Sequence, residues 1–495
     1  MKVFIDLIVL LYLLTILLLA VYGVSSLMNT FLYLRARKRI KRPMDQGPAT
    51  DWPPVTIQLP VFNEKYTIER LLRAVARLDY PSGALQIQVL DDSTDDTADL
   101  VARLVRSYKS QGVNIELLHR SDRSGFKAGA LRDALPWATG AFIGIFDADF
   151  VPDPDWLCKT VPLFRDPHIG CLQTRWGHTN RQYNSLTQAE AMAIDGHFLV
   201  EQTARSGSGF FLNFNGTAGL WRRACIEQSG GWQSDTLTED LDLSYRAQLN
   251  GWKIDYVPDV VVPAELPSQV EAFKKQQFRW AKGSFQVVRK ILPAVLRRDD
   301  LPWRVRLMAA VHLTGYLVHP LMLLMLLLTL PVGIVAPSAF RVFPLTFLAG
   351  FGPPLMYLVA SGSTSPPLGD RLKLIPLMTI TGFGISLSTT IAVLQGLTGT
   401  GSGHFVRTPK LNQSNVQLGR VFDEAYLEPV SPTVWAELAL GIFALYTGLT
   451  LAPYVGWDLL PWMTIYTMGY FYIAGLNLLQ HVPQTLKRVG RAVMN

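Results

Sequence analysis

Pairs of carboxylates that follow short apolar runs are the residues of this sequence best suited to holding a cation against a phosphate group. Asp91 and Asp92 come directly after QIQVL, and Asp147 and Asp149 come after AFIGIF. Because Mg²⁺ and Mn²⁺ prefer carboxylate and phosphate oxygens, the Asp147-Ala148-Asp149 motif is a candidate site for either ion. Such an ion would neutralise charge on a leaving diphosphate. A solvated turn, or a helix N-cap after Asp92, is the alternative explanation for such clusters.

Two further groups of residues could activate or bind a hydroxyl-bearing acceptor. Glu239 and Asp240 precede the helix-like segment LDLSYRAQLNGW. They either cap that helix or supply a general base that takes a proton from an acceptor hydroxyl. Farther along, Gln276, Arg279 and Trp280 form a Q-x-x-R-W motif. The Trp280 ring could mark a membrane interface or stack on a sugar, and Arg279 could hold a phosphate oxygen in a forked contact.

The elements expected to position these residues are short strands that alternate with helices. Four runs are apolar or alternating, as strands are: 55–60, 86–90, 114–119 and 141–146. Segments with helical spacing lie between them, such as Thr67–Leu78 and Thr97–Tyr108. This alternation predicts an α/β layer with a largely parallel sheet. In such sheets ligands bind at the carboxyl ends of the strands, where the carboxylates stand.

Composition narrows the class of protein. The 495 residues are 49% hydrophobic, which indicates that part of the chain lies in lipid. The three cysteines, Cys158, Cys171 and Cys225, form no C-x-x-C pair, which argues against a disulfide framework or a structural zinc site. The net charge of +7 comes from basic residues concentrated beside apolar segments. They suit a membrane-flanking role, and no aromatic-basic pattern supports nucleic-acid binding.

The N-terminal segment is predicted to be a membrane anchor. Residues 3–28 carry a single charge, Asp6, and a helix of that length exceeds the hydrocarbon core of about 30 Å. A cleaved signal peptide would usually have an apolar region of only about 7–15 residues. The basic run 35–42 follows directly. The positive-inside rule therefore places the chain up to about residue 300 in the cytosol and the N-terminus outside.

The second half contains five charge-free runs: 307–340, 342–361, 374–403, 438–457 and 459–480. If all five crossed the membrane, the basic tail with Lys487 and Arg488 would end outside, against the positive-inside rule. The run 374–403 is rich in Gly, Ser and Thr and starts beside Arg371 and Lys373. We therefore expect it to lie at the interface or to re-enter. Five crossings result, with six as the alternative, and 400–430 lies on the cytosolic side.

In this order and spacing, the DD, DxD, TED and QxxRW motifs resemble those of processive family-2 glycosyltransferases, which join a GT-A fold to transmembrane helices. The sequence is most similar to the cellulose synthase-like group that makes mannan, glucomannan or glucan backbones. The motifs that carry the resemblance, almost along the whole chain, are SDRSGFKAGAL, FDADFVP, FNGTAGLWR, TLTEDLDLSYRAQLNGWK, QQFRWAKGS and FVRTPK. The resemblance implies a cell-membrane enzyme with a nucleotide-sugar donor and a growing polysaccharide as acceptor.

The resemblance also implies roles for individual residues. Those on the donor side are Asn63, Glu64, Asp91, Asp92, Lys127, Asp147 and Arg279. Asp147 and Asp149 would bind Mg²⁺ or Mn²⁺, and Asp240 would be the catalytic base of an inverting displacement. The acceptor-binding residues would be Glu239, Gln276 and Trp280. FVRTPK is similar to a cytosolic gating loop, whose residues here are Phe405, Thr408 and Lys410.

The resemblance leaves the donor and product open. UDP-glucose and GDP-mannose enzymes share these motifs, with UDP-glucose slightly favoured as the expected donor, and β-1,4 is the expected linkage. A non-processive glycolipid synthase similar to ceramide glucosyltransferases is the nearest alternative, because such enzymes also carry a Q-x-x-R-W-type motif. The candidate C-terminal crossings and FVRTPK favour a polymer that leaves through the protein's own channel. A catalytically inactive nucleotide-binding transporter or scaffold is a third alternative, although every acidic motif is present.

These observations divide the chain into six expected segments. The first three are an anchor (1–30), a cytosolic GT-A domain (31–285) and an interfacial helix (286–304). The last three are a transmembrane pair (305–361), an interfacial segment with the gating loop (362–432), and a final transmembrane pair with the basic tail (433–495).

Overall fold

The computed structural model describes residues 2–37, 52–362, 368–401, 408, 410 and 429–494. Most of the basic run 35–42, the gating-loop residue Phe405 and most of 400–430 therefore lie outside the described residues. Within the described part, the strands are β1 (Val55–Val61), β2 (Leu85–Asp91), β3 (Ile115–His119), β4 (Phe142–Ile145), β5 (Ile169–His178), β6 (Gly219–Arg222) and β7 (Lys253–Ala264).

These strands form one sheet in the order β3-β2-β1-β4-β6-β5-β7. β6 is antiparallel to β4 and β5, and the other pairings in the described sheet are parallel. The predicted α/β layer with a mostly parallel sheet is therefore confirmed. The four predicted strands correspond to β1 to β4, whereas β5, β6 and β7 had not been predicted.

The N-terminal α-helix is α1 (Lys2–Ala36). The α-helices of the soluble part are α2 (Ile68–Val75), α3 (Thr97–Ser110), α4 (Phe126–Ala134), α5 (Trp156–Thr160), α6 (Ser185–Asp195), α7 (Thr203–Ser208), α8 (Arg223–Gln228), α9 (Glu239–Leu249) and α10 (Val270–Leu296). The remaining α-helices are α11 (Trp303–Leu313), α12 (Val318–Val335), α13 (Phe343–Ser361), α14 (Leu368–Gly384), α15 (Ser386–Thr398), α16 (Thr433–Val455) and α17 (Leu459–Met494).

Hydrophobic spacing explains how the helices cover the sheet. In α2, Ile68, Leu71, Leu72 and Val75 are buried, which is the one-face pattern of a helix packed on a core. They belong to the cluster on one face of β1 and β2, together with residues of α3. A second cluster joins α4, α8 and α9 to β4 and β6. The two helical layers leave the carboxyl ends of β1, β2 and β4 open at one edge.

Among the described residues, three helical segments are long and apolar enough to cross a membrane: Lys2–Ala36, Gly315–Val335 and Thr433–Val455. The pair Gly369–Gly384 and Ser386–Thr398, bent by 48°, would be a fourth span or a re-entrant loop. This pair covers most of the run that was expected to lie at the interface or to re-enter. A membrane-associated helical part is therefore consistent with the structure, and the five-crossing topology stays a prediction.

Helix α10 connects the soluble domain to the membrane helices. The boundary expected at residue 285 falls inside this helix, which continues to Leu296. Its Phe285 and Ile291 share a buried cluster with Leu313 of α11 and Val393 of α15. The composition of the sequence changes near residue 285, but the backbone does not break there. A rigid element thus runs from the Q-x-x-R-W motif to the apolar helices.

Candidate active site

One cavity opens at the carboxyl ends of the central strands and is closed on its far side by α9 and α10. Twelve of the residues singled out from the sequence line it: Glu64, Asp92, Lys127, Asp147, Asp149, Glu239, Asp240, Gln276, Arg279, Trp280, Thr408 and Lys410. Asn63 and Asp91 are not among the lining residues. The separate acidic motifs of the sequence therefore converge on one cavity.

A partly buried cation on α4, Lys127, meets the first carboxylate after β4, Asp147. Lys127 Nζ lies 2.5 Å from Asp147 Oδ1 and donates a hydrogen bond to the Gly216 carbonyl at 2.8 Å. The Asp147 N–H donates to Thr217 Oγ1 at 2.9 Å, which fixes the start of the D-A-D turn. Burial alone would lower the pKa of Lys127, but the Asp147 and Glu239 carboxylates raise it above its ordinary value. The ammonium therefore stays charged and can face a diphosphate.

Asp240 stands in the first turn of α9, where its Oδ1 accepts the Leu241 N–H at 2.8 Å. Burial raises the pKa of the Asp240 carboxyl to about 7, and the neighbouring Glu239 carboxylate adds to the shift. A carboxylate with a pKa near neutral pH is suited to take a proton from a hydroxyl. Capping of α9 therefore explains the contact with the Leu241 N–H, but it does not explain the raised pKa of Asp240.

Gly216 lies where the Asp240 carboxylate and the Lys127 ammonium both approach the backbone. Its φ of +83° lies in the left-handed region, which glycine adopts without a steric penalty. A Cβ placed here would lie 3.0 Å from Asp240 Oδ2 and 3.6 Å from Lys127 Nζ. The absence of a side chain at this position thus lets both charged groups approach the same stretch of backbone.

A second glycine lets α10 pack against the start of α9. A Cβ at Gly283 would lie 2.5 Å from Thr238 Cγ2, so the two elements touch where no side chain intervenes. This contact brings Arg279 and Trp280 into the cavity that contains Asp240. Burial lowers the pKa of the Arg279 guanidinium, and the carboxylates of Glu239 and others oppose the shift.

Asp149, the second carboxylate of the D-A-D motif, faces a lysine from a distant part of the chain. Lys410 Nζ lies 3.0 Å from Asp149 Oδ2 and also donates to the Glu265 carbonyl. The Glu265 N–H donates to the same Asp149 oxygen at 3.3 Å, and Arg70 donates to the Asp149 carbonyl at 3.1 Å. Lys410 therefore reaches the cavity, and its assignment to a gating loop stays a prediction.

Asp147 and Asp149 are suited to bind a divalent cation that is also coordinated by a phosphate group. In the described residues no group of three or more His, Cys, Asp or Glu side chains could hold a metal ion. Mg²⁺ commonly binds through one or two carboxylates plus substrate phosphates and water. Asp147 and Asp149 both line the cavity and match that smaller donor set. In the absence of a cation, Lys127 and Lys410 neutralise them.

The two carboxylates after β2 have different surroundings. Asp92 accepts a forked contact from Arg120, with distances of 2.8 Å and 2.6 Å to its two oxygens, and lines the cavity. Asp91 is fully buried, with Oδ2 at 2.9 Å from His119 Nδ1 and Oδ1 accepting the Ser93 N–H at 3.1 Å. Its contacts organise the loop after β2.

Asn63 likewise organises a loop. Its φ is +56°, in the left-handed region that Asn tolerates better than most residues. Its Oδ1 accepts the Thr94 N–H at 2.8 Å, and its own N–H donates to Ser93 Oγ at 2.9 Å. These bonds join the loops after β1 and β2, and the next residue, Glu64, lines the cavity.

Several residues that line the cavity were missed by the sequence analysis. On the β5 side they are Trp176, His178 and Glu190. On the opposite side the Arg123 guanidinium stands 3.3 Å from the centroid of the Phe62 ring, and both residues line the cavity. Trp176, His178 and Glu190 belong to none of the quoted motifs. Arg123 lies in SDRSGFKAGAL and Phe62 precedes Asn63 and Glu64, so neighbouring predictions pointed to these two positions.

Comparison with known proteins identifies the domain that carries this cavity. Residues 53–283 match the family described as Glycosyltransferase like family 2. A probable glucomannan 4-beta-mannosyltransferase 7 of Oryza sativa subsp. japonica is 44% identical over 256 residues, which cover 51% of this chain and 44% of that protein. Glucomannan 4-beta-mannosyltransferase 7 of Arabidopsis thaliana is 39% identical over 258 residues, which cover 51% of this chain and 46% of that protein. The matched part spans about half the length of these relatives.

A solved structure with a similar fold is a mannosyltransferase from Pyrobaculum calidifontis, in complex with GDP-Man and Mn²⁺. It covers 77% of this chain and 100% of its own, with a TM-score of 0.50 and 23% sequence identity. At that identity the likeness concerns the fold. Residues 53–283 are therefore similar to family-2 glycosyltransferases, have the GT-A fold, and correspond to about half of glucomannan mannosyltransferases.

Proposed function

We propose that this chain is a membrane-embedded, processive, inverting glycosyltransferase that builds a β-1,4-linked mannan or glucomannan backbone from GDP-mannose. The observation that carries the proposal is the convergence of Lys127, Asp147, Asp240, Arg279 and Trp280 on one cavity. The names of the curated relatives favour mannose over glucose as the transferred sugar. UDP-glucose, with a glucan product, is the alternative donor.

Asp240 is the general base of the proposed reaction. Its carboxylate takes the proton of an acceptor hydroxyl while that oxygen attacks the anomeric carbon of the donor sugar. The new carbon–oxygen bond forms on the face opposite the diphosphate, so an α-linked donor gives a β-linked product. The bond to the diphosphate breaks, and its electron pair leaves with the nucleotide. Asp240 ends the step protonated, which its pKa of about 7 permits.

Positive charge on the other side of the cavity stabilises the leaving diphosphate. Lys127 stays charged beside Asp147, and Arg279 can make a forked contact with phosphate oxygens. Asp147 and Asp149 would hold Mg²⁺ or Mn²⁺ together with the diphosphate, which supplies further charge neutralisation. Lys410, whose Nζ lies 3.0 Å from Asp149 Oδ2, would add positive charge beside that site.

The acceptor end of the polymer lies against α10. Trp280 offers a flat ring for stacking on a sugar, and Gln276 is 8% exposed with its Oε1 lacking a hydrogen-bond partner among the described residues. Glu239, beside the base, is the third acceptor-binding residue in this proposal. All three face the cavity from the two elements that close it, which suits a sugar unit held above the donor.

The polymer is proposed to leave between the membrane helices. Buried hydroxyl groups, which can exchange hydrogen bonds with a sugar chain, occur where α14, α15 and α17 meet. Ser386 Oγ lies 2.8 Å from Tyr470 Oη, and Thr381 and Ser388 are buried nearby in the chain. Arg35 at the end of α1 agrees with a cytosolic catalytic domain, an external N-terminus and a cell-membrane location.

The test is synthesis by the purified full chain in lipid nanodiscs. It is offered labelled GDP-mannose or UDP-glucose with Mg²⁺ or Mn²⁺, and products are sized by gel and mass spectrometry. A long polymer made from GDP-mannose and degraded by β-1,4-mannanase supports the proposal. A single sugar on a lipid would instead establish the glycolipid synthase, and no transfer from either donor would contradict catalysis.

A further inference from the structure

Glu190 stands out among the residues of the cavity because nothing in the described structure pairs with it. It lies on α6, one turn before Ile194, and both residues line the cavity. The residue is 3% exposed, yet neither carboxyl oxygen has a hydrogen-bond partner in the described residues. Leaving a buried polar group unsatisfied costs about 1–3 kcal/mol. A group that lines a cavity avoids this cost when a ligand supplies the partner.

Other unpaired polar atoms line the same cavity. Trp176 Nε1, Gln276 Oε1 and Thr408 Oγ1 are also buried without a partner in the described part of the chain. Together with Glu190 they offer a donor, a hydroxyl and several acceptors. A hexose presents hydroxyl groups that both donate and accept hydrogen bonds, so its chemistry matches this mixed set. A phosphate group accepts only and would be repelled by a carboxylate.

The sheet order separates Glu190 from the nucleotide side of the cavity. Glu64 follows β1 and Asp92 follows β2, whereas Asp147 and the Lys127 contact follow β4 in the middle of the sheet. Trp176 and His178, at the end of β5, share the cavity wall with Glu190. From β2 to β5 there are four strand spacings, or roughly 19 Å at about 4.8 Å each. The wall at β5 and α6 therefore lies beyond the diphosphate.

This wall is built rigidly around Glu190. His178 Nε2 lies 3.0 Å from Asp195 Oδ1, which joins the end of β5 to the end of α6. Arg181 pairs with the other Asp195 oxygen. The N-terminus of α6 is capped by Asn184, whose Oδ1 accepts the Thr187 N–H at 2.9 Å. A helix fixed at both ends holds the carboxyl in one place.

We propose that Glu190 hydrogen-bonds a hydroxyl group of the hexose bound in the cavity and so helps to determine which hexose the enzyme uses. The inference rests on the proposed function and adds a specificity residue to it. Burial raises the pKa of the Glu190 carboxyl to about 8, although the Lys410 ammonium opposes the shift. A largely protonated carboxyl both donates and accepts, which suits a sugar hydroxyl.

The test compares Glu190→Ala and Glu190→Gln with wild type in nanodiscs. Gln188→Ala is the matched control, since Gln188 is partly exposed on the same helix and does not line the cavity. We expect Glu190→Ala to lower kcat/KM for GDP-mannose roughly 10- to 100-fold, as loss of a buried hydrogen bond does. Glu190→Gln, which keeps hydrogen-bonding atoms, should restore most of it. The Kd for GDP alone and the melting temperature should match those of the control.

Deoxygenated substrates locate the hydroxyl. Each monodeoxy donor and each acceptor oligosaccharide deoxygenated in its terminal unit is assayed with wild type and Glu190→Ala. For one analogue, Glu190→Ala should have the same kcat/KM as wild type, because that analogue lacks the hydroxyl group that Glu190 contacts. If that analogue is a donor, Glu190 contacts the donor hexose, and if it is an acceptor, Glu190 contacts the chain end.

The inference is overturned if kcat/KM of Glu190→Ala stays within about twofold of wild type. It is also overturned if the variant lowers kcat/KM by the same factor with every deoxygenated analogue as with the full substrate. A Kd for GDP that weakens as much as kcat/KM falls would overturn it as well. An active wild type with unaffected variants removes this inference alone. A wild type that transfers no hexose removes the proposed function, and this inference falls with it.

Discussion

The carboxylates at the end of β2 and those on α6 and α9 show two ways in which one domain accommodates buried negative charge. Asp91 and Asp92 have partners of opposite charge or potential charge, His119 at 2.9 Å and Arg120 at 2.6 Å. Glu190 has no hydrogen-bond partner in the described residues, and the Asp240 side chain accepts a backbone N–H from Leu241. The first region is neutralised within the protein, and the second is not.

The difference separates structural from chemical roles. A paired carboxylate that does not line the cavity, such as Asp91, holds two elements together and has little left to offer a ligand. Burial, with the Glu239 carboxylate beside it, raises the pKa of Asp240 to about 7. Burial also raises the pKa of Glu190 to about 8, although the Lys410 ammonium opposes that shift. Such groups accept or share protons near neutral pH, which is a property of functional sites. We therefore expect substitution of Asp240 to affect turnover and substitution of Asp91 to affect folding.

The largest effect is expected for Asp240→Asn. The amide keeps the shape of the side chain but cannot take a proton, so kcat should fall at least about 10³-fold. Donor binding, measured as the Kd for a nucleotide sugar, should change by less than about threefold. Substantial residual turnover by this variant would show that another group is the base.

The same variant should not be less stable at alkaline pH. The pKa of Asp240 is about 7 in the folded chain, above its value of about 3.9 in an unfolded one. Between these pH values the folded state holds a proton that the unfolded state releases, so this group's contribution to stability decreases as pH rises. At pH 8 the melting temperature of Asp240→Asn should equal or exceed that of wild type. A lower value would place Asp240 with the paired carboxylates.

Gly216→Ala should produce the next largest effect. The new Cβ would lie 3.0 Å from Asp240 Oδ2 in a backbone conformation with φ +83°. The base must shift by a few tenths of an ångström. Since a displacement of about 1 Å can cost roughly 10² in rate, we expect kcat to fall by about tenfold, with the Kd for the nucleotide nearly unchanged. Gly209→Ala is the control, because it has a similar φ of +68° and nothing within 4 Å.

The pH profile gives a smaller and continuous effect. Because the base works only when ionised, kcat/KM should fall about tenfold per pH unit below pH 7 and level off above it. Glu239→Gln removes a negative neighbour that raises the pKa of Asp240, so the inflection should move to lower pH. An inflection that stays in place would mean that another group controls the profile.

The sequence predicted the part of the site that depends on local order and missed the part that depends on tertiary contacts. Asp147 follows an apolar strand, and carboxyl ends of parallel strands meet at one edge, so its place followed from the pattern. Glu190 lies in the ordinary helical segment SLTQAEAMAID, and nothing nearby in the sequence marks it. Its distinguishing property is the lack of a partner, which becomes visible only when β5 and α6 are assembled.

The continuity of α10 was missed for a related reason. The change from polar to apolar composition suggested a new element at residue 286, but no helix-breaking residue stands there. Pro293, the first proline in this helix, lies near its end at Leu296. The pair of Lys410 and Asp149 was not predicted, because no local pattern connects segments so far apart in the chain.

Asp91→Asn is expected to have the smallest effect on catalysis and gives the strictest test of the comparison. Asparagine can still accept the Ser93 N–H, but it loses the charge facing His119. We expect stability to fall by about 1–3 kcal/mol, with kcat/KM per folded molecule within about twofold of wild type. Asp92→Asn, which alters a residue that lines the cavity, should weaken nucleotide binding more. If Asp91→Asn instead weakens nucleotide binding tenfold without loss of stability, the role that the family resemblance implies for Asp91 is correct, and pairing does not distinguish structural from functional carboxylates here.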